Sequence, residues 1–301
     1  MDLPSERPEY EAVDGRSAVG LISCVVDEPP RFHSEVLRWY ASLNRIAGVD
    51  AKDLIVHVVG STDTVQLDYL RSQGVAVKNV EPFDTRHPHC NKISGALALI
   101  PFEFEGLVAL TDTDVALLED PRTLAVPPGR LASCVVHWPT PSLDALRVIF
   151  EEAELELPPL VPMEWPENAV TVAGNGNGGL YVANGELLSR LANAWKTWAL
   201  WLLDRIELLG DGRRRGTDQV AMAMAMASEG IGWTQLSKRW NFPTMSFRRN
   251  DPRLSPPVGI HYHKRVGESG ELTLSGVAVV DSRIGRVNSA VREVLKEVKC
   301  L

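Results

Sequence analysis

The stretch Leu107–Pro121, LVALTDTDVALLEDP, constrains the fold more than any other part of the chain. It opens with four apolar residues, which are typical of a buried strand. Asp112 and Asp114 follow, one residue apart, where that strand is expected to end. Because an unpaired buried carboxylate is costly, the pair calls for a cation or another partner. Ligands of α/β sheets bind at the carboxyl ends of strands, where such a pair suits Mg²⁺ or Mn²⁺ carrying phosphates.

An Asp-x-Asp pair is also common in turns and on surfaces, so the pair alone does not establish a site. The apolar residues on both sides favour the site. Val115 to Leu118 return the chain to an apolar environment directly after the second carboxylate.

Apolar runs alternate with helically spaced segments through the first half of the chain. This alternation predicts an α/β fold with a Rossmann-like, mostly parallel central sheet flanked by helices. The predicted strands are Ala18–Val26, Leu54–Val59 and Val75–Val80, and the predicted helices are His33–Ala47, Thr64–Gln73 and Asn91–Ile100.

The second half is less regular and Pro-rich in places. We predict strands at Leu131–His137 and Val258–His263, and helices at Leu143–Ala153, Glu186–Leu209, Asp218–Glu229 and Arg286–Val298, with a Gly/Asn loop in Ala173–Asn184 feeding a short strand. No repeat or low-complexity linker interrupts the chain. We therefore expect a loose leader over residues 1–16 and one domain over 17–301, with a nucleotide-binding half at about 17–137 and an irregular acceptor-side half at about 138–301.

Composition excludes several classes of protein. With 301 residues, 45% of them hydrophobic, the chain can bury a sizeable core. A net charge of −8 argues against a nucleic-acid binder. The four cysteines form no CxxC pair, no apolar run is long enough to span a membrane, and the first residues show no signal peptide. We expect a cytoplasmic protein, with a homo-oligomer possible.

Three other segments carry candidate chemistry. The Gly-rich segment 174–179 is either a flexible turn or a place where backbone amides approach a ligand. Asp218 either caps a helix or lines a site. His261 and His263 alternate along one predicted strand and should face opposite sides, so that one of them can reach a site.

Two further clusters have alternative interpretations. His87, His89 and Cys90 form a rival zinc cluster that lacks a second ligand pair at finger-like spacing. The run Arg213–Arg215 is either a solvated loop or a phosphate contact.

The order of several short motifs resembles GT-A-fold glycosyltransferases, and glycosyltransferase family 8 (the glycogenin and lipopolysaccharide-galactosyltransferase type) in particular. LVALTDTDVALLEDP resembles the metal-binding segment of that family. Four later segments resemble its successive downstream motifs: GNGGLYVAN, TDQVAMAMA, RWNFP and GIHYHK. The resemblance covers most of residues 18–264. The chain departs from the family's Gly and Lys spacing at Tyr262–Arg265, which leaves open whether His261 or His263 is the metal ligand.

The resemblance implies a metal-dependent transfer of a sugar from a nucleotide-diphosphate sugar, with a UDP-sugar favoured, to an acceptor hydroxyl, with retention at the anomeric carbon. It implies Mn²⁺ or Mg²⁺ bound by Asp112, Asp114 and His261. Asp218 and Gln219 are implied to act beneath the transferred sugar. The donor-binding residues it implies are Lys92, Asp112, Thr113, Asn177, Gly178, Gly179 and Lys264, although a solvated Lys92 is an equal alternative.

Two functions of other classes remain open. A sugar-nucleotide nucleotidyltransferase shares a nucleotide-binding α/β sheet and acidic metal ligands, but this chain has no Gly-rich basic loop after its first strand. A non-catalytic nucleotide-sugar-binding protein on the same fold is the other. The partners expected for a transferase are the nucleotide-sugar donor and a saccharide, glycolipid or small-molecule acceptor.

Overall fold

The computed structural model describes residues 18–60, 63–102, 104–163, 168–210, 216–245, 247 and 254–300. The predicted leader 1–16 and the arginine run Arg213–Arg215 lie outside these residues. Within the described part of the chain, no helix is both long and apolar enough to cross a membrane.

A seven-stranded sheet lies at the centre of the fold. Its strands are β1 (Ala18–Val26), β2 (Leu54–Val59), β3 (Ala76–Val80), β4 (Phe104–Thr111), β6 (Arg130–Val135), β9 (Gly176–Asn184) and β10 (Gly232–Leu236). Their order in the sheet is β10-β6-β9-β4-β1-β2-β3. All run parallel except β9, which is antiparallel to both of its neighbours. The prediction of a mostly parallel α/β sheet is confirmed.

Two smaller sheets complete the strands. One contains β11 (Phe242–Pro243), β12 (Gly259–His261) and β5 (Val115–Leu117), and the other is the hairpin of β7 (Leu160–Pro162) and β8 (Val170–Val172). The first of these brings the segment after the Asp-x-Asp pair against a strand from near the end of the chain. It therefore decides which distant residues meet at the edge of the central sheet.

Helices cover both faces of the central sheet. They are α1 (Pro30–Tyr40), α2 (Val65–Ser72), α3 (Asn91–Ala98), α4 (Leu143–Glu152), α5 (Gly185–Leu203), α6 (Thr217–Glu229) and α7 (Ala278–Val298). One core cluster packs α1, α2 and α7 against the sheet, and a second packs α3, α4, α5 and α6. The sheet thus has apolar layers on both sides, which explains why its central strands are apolar without strict alternation.

Several predicted boundaries are wrong. The Gly/Asn segment is not a loop from 176 onward, because β9 pairs with β4 and β6 on its two sides and this pairing overrides the low strand propensity of Gly and Asn. Helix α7 begins at Ala278 rather than at Arg286. The Asp281 carboxylate accepts hydrogen bonds from the backbone N–H groups of Ser275 and Gly276, which holds the turn before the helix.

Two other elements end earlier than predicted. Helix α1 stops at Tyr40, and the chain continues as a π-helix over Ala41–Ile46. Helix α5 stops at Leu203, and residues 206–209 form a short 3₁₀ turn.

Candidate active site

The Asp-x-Asp pair lies at the carboxyl end of a central strand, as the sequence predicts. Strand β4 ends at Thr111, and the backbone N–H of Asp112 donates to the carbonyl oxygen of Gly179 on the neighbouring β9 (3.2 Å). The N–H of Val115 donates back to the carbonyl oxygen of Asp112 (3.3 Å), which closes a tight turn. Both carboxylates therefore lie at one corner of the sheet, at the carboxyl end of β4.

The small sheet brings His261 to the same corner. Strand β5 starts directly after the turn and runs antiparallel to β12, with Val115 opposite His261. His261 Nε2 lies 3.2 Å from Asp114 Oδ1. One ligand atom from each of Asp112, Asp114 and His261 lies within 4.8 Å of the other two. The structure thus brings together the three residues that sequence analysis proposed as metal ligands.

A chain of amide groups fixes which nitrogen of His261 faces the carboxylates. The Gly179 N–H can only donate, so its partner at 3.0 Å is the oxygen Oδ1 of Asn177. That oxygen also accepts from Nδ2 of Asn241 (2.7 Å), which turns the amide oxygen of Asn241 toward His261 Nδ1 (2.8 Å). Nδ1 therefore carries a proton, and Nε2 is the nitrogen directed at Asp114.

The donor set fits a divalent cation. With Nδ1 protonated, Nε2 faces a carboxylate oxygen, and that contact is favourable only with a proton or a metal ion between the two atoms. When two ligands lie at right angles about 2.1 Å from an octahedral cation, their donor atoms are about 3 Å apart, close to the separation observed here. Two carboxylates and one imidazole suit Mn²⁺ well.

The electrostatics of these side chains agree with this arrangement. Burial alone would lower the pKa of His261, but Asp114 outweighs it and raises that pKa above its usual value. Burial also opposes ionisation of Asp114, yet the His261 charge and hydrogen bond lower the pKa of Asp114 to about 2. The two groups therefore favour each other's charged forms, and the negative charge beside Nε2 would favour a divalent cation in the same way.

A second group of imidazoles is a poorer metal site. His137, His261 and His263 also present nitrogens within 4.8 Å of one another. However, His137 Nε2 lies 2.9 Å from the carbonyl oxygen of Asn241, and its Nδ1 lies 3.5 Å from Asn177 Nδ2. Burial and the nearby His261 lower the pKa of His137 well below its usual value, so this ring is neutral and supports the amide chain.

Lys92 links the cluster of Asp112, Asp114 and His261 to a second carboxylate. Its Nζ lies 2.7 Å from Asp112 Oδ1 and 3.1 Å from Asp218 Oδ2. It also donates to the carbonyl oxygen of Gly178 (3.3 Å). Burial opposes the charge, but the two carboxylates raise the pKa of Lys92 well above its usual value. Lys92 is therefore a partly buried cation held between two acids and is not a solvated lysine.

Asp218 and Gln219 lie in the first turn of α6, beside Gly178. Gly216 precedes that helix as its cap residue, and the buried Asp218 carboxylate contacts Lys92. The backbone carbonyl of Asp218 accepts from Trp195 Nε1 (2.7 Å), which holds the start of α6 against α5. Asp218 is therefore not the cap residue of α6, and its carboxylate belongs to the polar cluster through Lys92.

The glycines of β9 leave no room for side chains. A Cβ on Gly178 would lie 2.6 Å from Lys92 Nζ and 3.1 Å from Asp218 Oδ2. A Cβ on Gly179 would lie 2.8 Å from Asn241 Nδ2 and 3.0 Å from His261 Nδ1. These glycines let the polar groups close over the strand, so the Gly-rich segment serves close approach rather than flexibility.

The alternation of His261 and His263 along a strand predicted that they face opposite sides. This prediction is wrong. Strand β12 ends at His261, and His263 has a positive φ of 51° in the following turn. The two rings therefore stack, with centroids 3.9 Å apart and planes 2° apart. Lys264, next in the chain, is exposed, and its side chain forms no hydrogen bond or ion pair with the cluster among the described residues.

The rival zinc cluster does not form. His87 and Cys90 are buried and His89 is exposed. Among the described residues, these three do not bring ligand atoms to one point, whereas the two groups at the sheet corner do.

Sequence reasoning missed several residues of the site. Asn241 and His137 fix the orientation of His261, and Glu35 accepts a hydrogen bond from the Thr113 hydroxyl (2.9 Å). Asn241 lies inside the RWNFP motif. The motif indicated that this segment belongs to the site, but not that Asn241 orients His261. Glu35 and His137 lie in segments that read as an ordinary helix and the end of a strand.

Comparison with known proteins agrees with this architecture. The sequence profile of the Rhodobacterales glycosyltransferase domain matches residues 23–230. The chain belongs to this family and is a glycosyltransferase. No curated protein matches it in sequence.

Solved structures show the same fold at low sequence identity. The galactosyltransferase LgtC, in complex with donor and acceptor sugar analogues, is 14% identical, with a TM-score of 0.53 over 89% of this chain and 95% of LgtC. The glycosyltransferase GlyE of Streptococcus pneumoniae TIGR4 is 10% identical, with a TM-score of 0.52 over 92% of this chain and 64% of GlyE. The GT-A fold predicted from the motif order, and its resemblance to the LgtC type, are confirmed.

Proposed function

We propose that the protein transfers a sugar from a nucleotide-diphosphate sugar, for which a UDP-sugar is our first choice, to an acceptor hydroxyl with retention at the anomeric carbon. The observation that carries the proposal is the meeting of Asp112, Asp114 and His261 with Lys92 and Asp218 at one corner of the sheet. Such a corner at the carboxyl ends of strands is where α/β proteins bind nucleotides.

Asp112, Asp114 and His261 would hold Mn²⁺ or Mg²⁺. When bound, the cation supplies charge neutralisation for the leaving diphosphate. Asn241 and Asn177 keep the imidazole in the tautomer that binds a metal. The three ligands would thereby be held in place for the cation before the nucleotide sugar binds.

Lys92, Asp218 and Gln219 would position the transferred sugar. Lys92 pairs with the Asp218 carboxylate beside Gly178, and Gly178 and Gly179 would let the donor approach the backbone of β9. Asn177 lies on the same strand, Thr113 lies inside the carboxylate turn, and the exposed Lys264 is proposed as a donor-phosphate contact. One LgtC structure is of an active-site mutant with glutamate in place of glutamine, which supports a role for a glutamine such as Gln219.

Product analysis tests the proposal. The purified protein is incubated with each of a panel of nucleotide sugars, Mn²⁺ and candidate sugar acceptors. We expect free nucleoside diphosphate together with a glycosylated acceptor. In a parallel incubation with nucleoside triphosphates and sugar 1-phosphates, release of inorganic pyrophosphate would instead identify a nucleotidyltransferase. Binding of a nucleotide sugar without product in either incubation would identify a nucleotide-sugar-binding protein.

A further inference from the structure

The hydroxyl of Tyr262 lies between the two segments that supply the proposed metal ligands. It donates to the backbone carbonyl oxygen of Thr113 (3.2 Å) and accepts from Arg38 Nε (3.1 Å). The Tyr262 side chain is fully buried, and Arg38 is almost so. We call Arg38, Thr113 and Tyr262 the hydroxyl junction.

The junction joins the carboxylates to the histidine. Thr113 is the middle residue of the Asp112–Asp114 turn, and Tyr262 directly follows His261. The N–H of Tyr262 also donates to the carbonyl oxygen of Asp114 (3.1 Å). One phenol and one amide thus fix the distance between two ligand segments that are about 150 residues apart in the chain.

Helix α1 anchors the junction from below. Glu35 accepts from the Thr113 hydroxyl (2.9 Å), and Arg38 Nη1 donates to the carbonyl oxygen of Gly270 (3.2 Å). Apolar packing of the ring does not require these polar groups, because a phenylalanine would fill the same space. Burying them is favourable only when every one is bonded, so their arrangement holds the turn and the histidine segment in one geometry.

We propose that Tyr262 is a positioning residue for the divalent-cation site and acts through its hydroxyl. This inference rests on the proposed function, because it assigns the cation to Asp112, Asp114 and His261. Without the phenol oxygen, the Tyr262 N–H and the pairing of β5 with β12 still join the two segments. The side-chain bond to the middle of the carboxylate turn is lost, however, and the three ligands are held less precisely.

The test is titration of the wild-type protein and of Tyr262→Phe with Mn²⁺ alone, with free Mn²⁺ followed by electron paramagnetic resonance. We expect Tyr262→Phe to weaken Mn²⁺ binding about 10-fold or more, as is typical when a group that orients a metal ligand is removed. The matched control is Tyr69→Phe, which also removes a bonded hydroxyl from a buried ring, in this case one that donates to Glu297. It should lower the melting temperature by a similar amount and leave Mn²⁺ affinity unchanged.

A second variant keeps the inference open to test if Tyr262→Phe does not fold. Arg38→Met keeps an aliphatic side chain but removes the donor to the phenol, and it should weaken Mn²⁺ binding in the same direction. If either folded variant binds Mn²⁺ as tightly as the wild type, Tyr262 is not a positioning residue, and the proposed function stands. If the wild type itself binds no Mn²⁺, the proposed metal site fails and this inference fails with it.

Discussion

At the scale of single residues, the site depends on side chains whose orientation is forced by their neighbours. The donor-only N–H of Gly179 sets the amide of Asn177, which sets that of Asn241, which in turn sets the tautomer of His261. Sequence reasoning found His261 but could not find this series of hydrogen bonds. Asn241 and Asn177 are 64 residues apart in the sequence, and only the fold brings them together.

A catalytic role and a purely structural role of Asp218 predict different effects of the same substitution. Asp218→Asn removes the negative charge beside Lys92 while keeping the size of the side chain. We expect turnover to fall about 100-fold or more and donor binding to change little, as for a group that acts mainly in the transition state. The measurement is kcat and KM for the donor sugar. Near-normal turnover would show that Asp218 serves the helix and not the sugar.

Glu35 should make stability depend on pH. Burial and the nearby Asp114 raise its pKa from 4.5 to about 7 in the folded protein. The folded state therefore binds more protons than the unfolded chain between these values, and the free energy of unfolding falls as pH rises from about 4.5 to about 7.

Glu35→Gln keeps an acceptor for Thr113 and removes this titration. In EDTA, the stability of the variant relative to wild type should increase across that pH window and level off above it. Chemical denaturation at several pH values measures the difference. A difference that does not change with pH would show that Glu35 titrates as an ordinary surface acid.

At the scale of elements, the sequence predicts most strands and helices because their apolar periodicity is strong. It fails where tertiary contacts override local preference. Strand β9 begins with Gly and Asn, which disfavour strands, but two neighbouring strands hydrogen-bond to it. His263 leaves the strand pattern because its backbone turns at positive φ, which no periodicity reveals.

Strand β9 should not tolerate a side chain at Gly179. The Cβ in Gly179→Ala would lie within 3.0 Å of Asn241 and His261, two planar groups held by hydrogen bonds. We expect a stability loss of about 1–3 kcal/mol from overpacking, together with loss of Mn²⁺ binding. Gly285→Ala in α7 is the control, because its Cβ would meet nothing within 4 Å. It should be stabilising by about 0.5–1 kcal/mol, with no effect on Mn²⁺.

Unchanged Mn²⁺ binding in a folded Gly179→Ala protein would show that the close approach of β9 to Asn241 and His261 does not matter for the proposed metal site. Melting curves and Mn²⁺ titration of the two alanine variants give the comparison.

At the scale of the whole molecule, the site is built by two sheets. The central sheet presents Asp112 and Asp114 at the end of β4, and the small sheet brings β12 with His261 against the strand that follows them. The motif order predicted that these residues meet. It could not show that the pairing of β5 with β12 brings them together. These two strands are only three residues long each, which is too short for a clear hydrophobic pattern. The division of the chain into donor and acceptor halves stays a prediction.

The most direct test of the central claim is calorimetric binding of UDP, in Mn²⁺ and in EDTA, to the wild type, Asp114→Ala and His261→Ala. If the three residues hold the cation that carries the diphosphate, the wild type binds UDP far more tightly in Mn²⁺ than in EDTA. Each variant should then bind in Mn²⁺ about as weakly as the wild type does in EDTA. Wild-type binding that ignores EDTA, or variants that keep the full effect of Mn²⁺, would contradict the account.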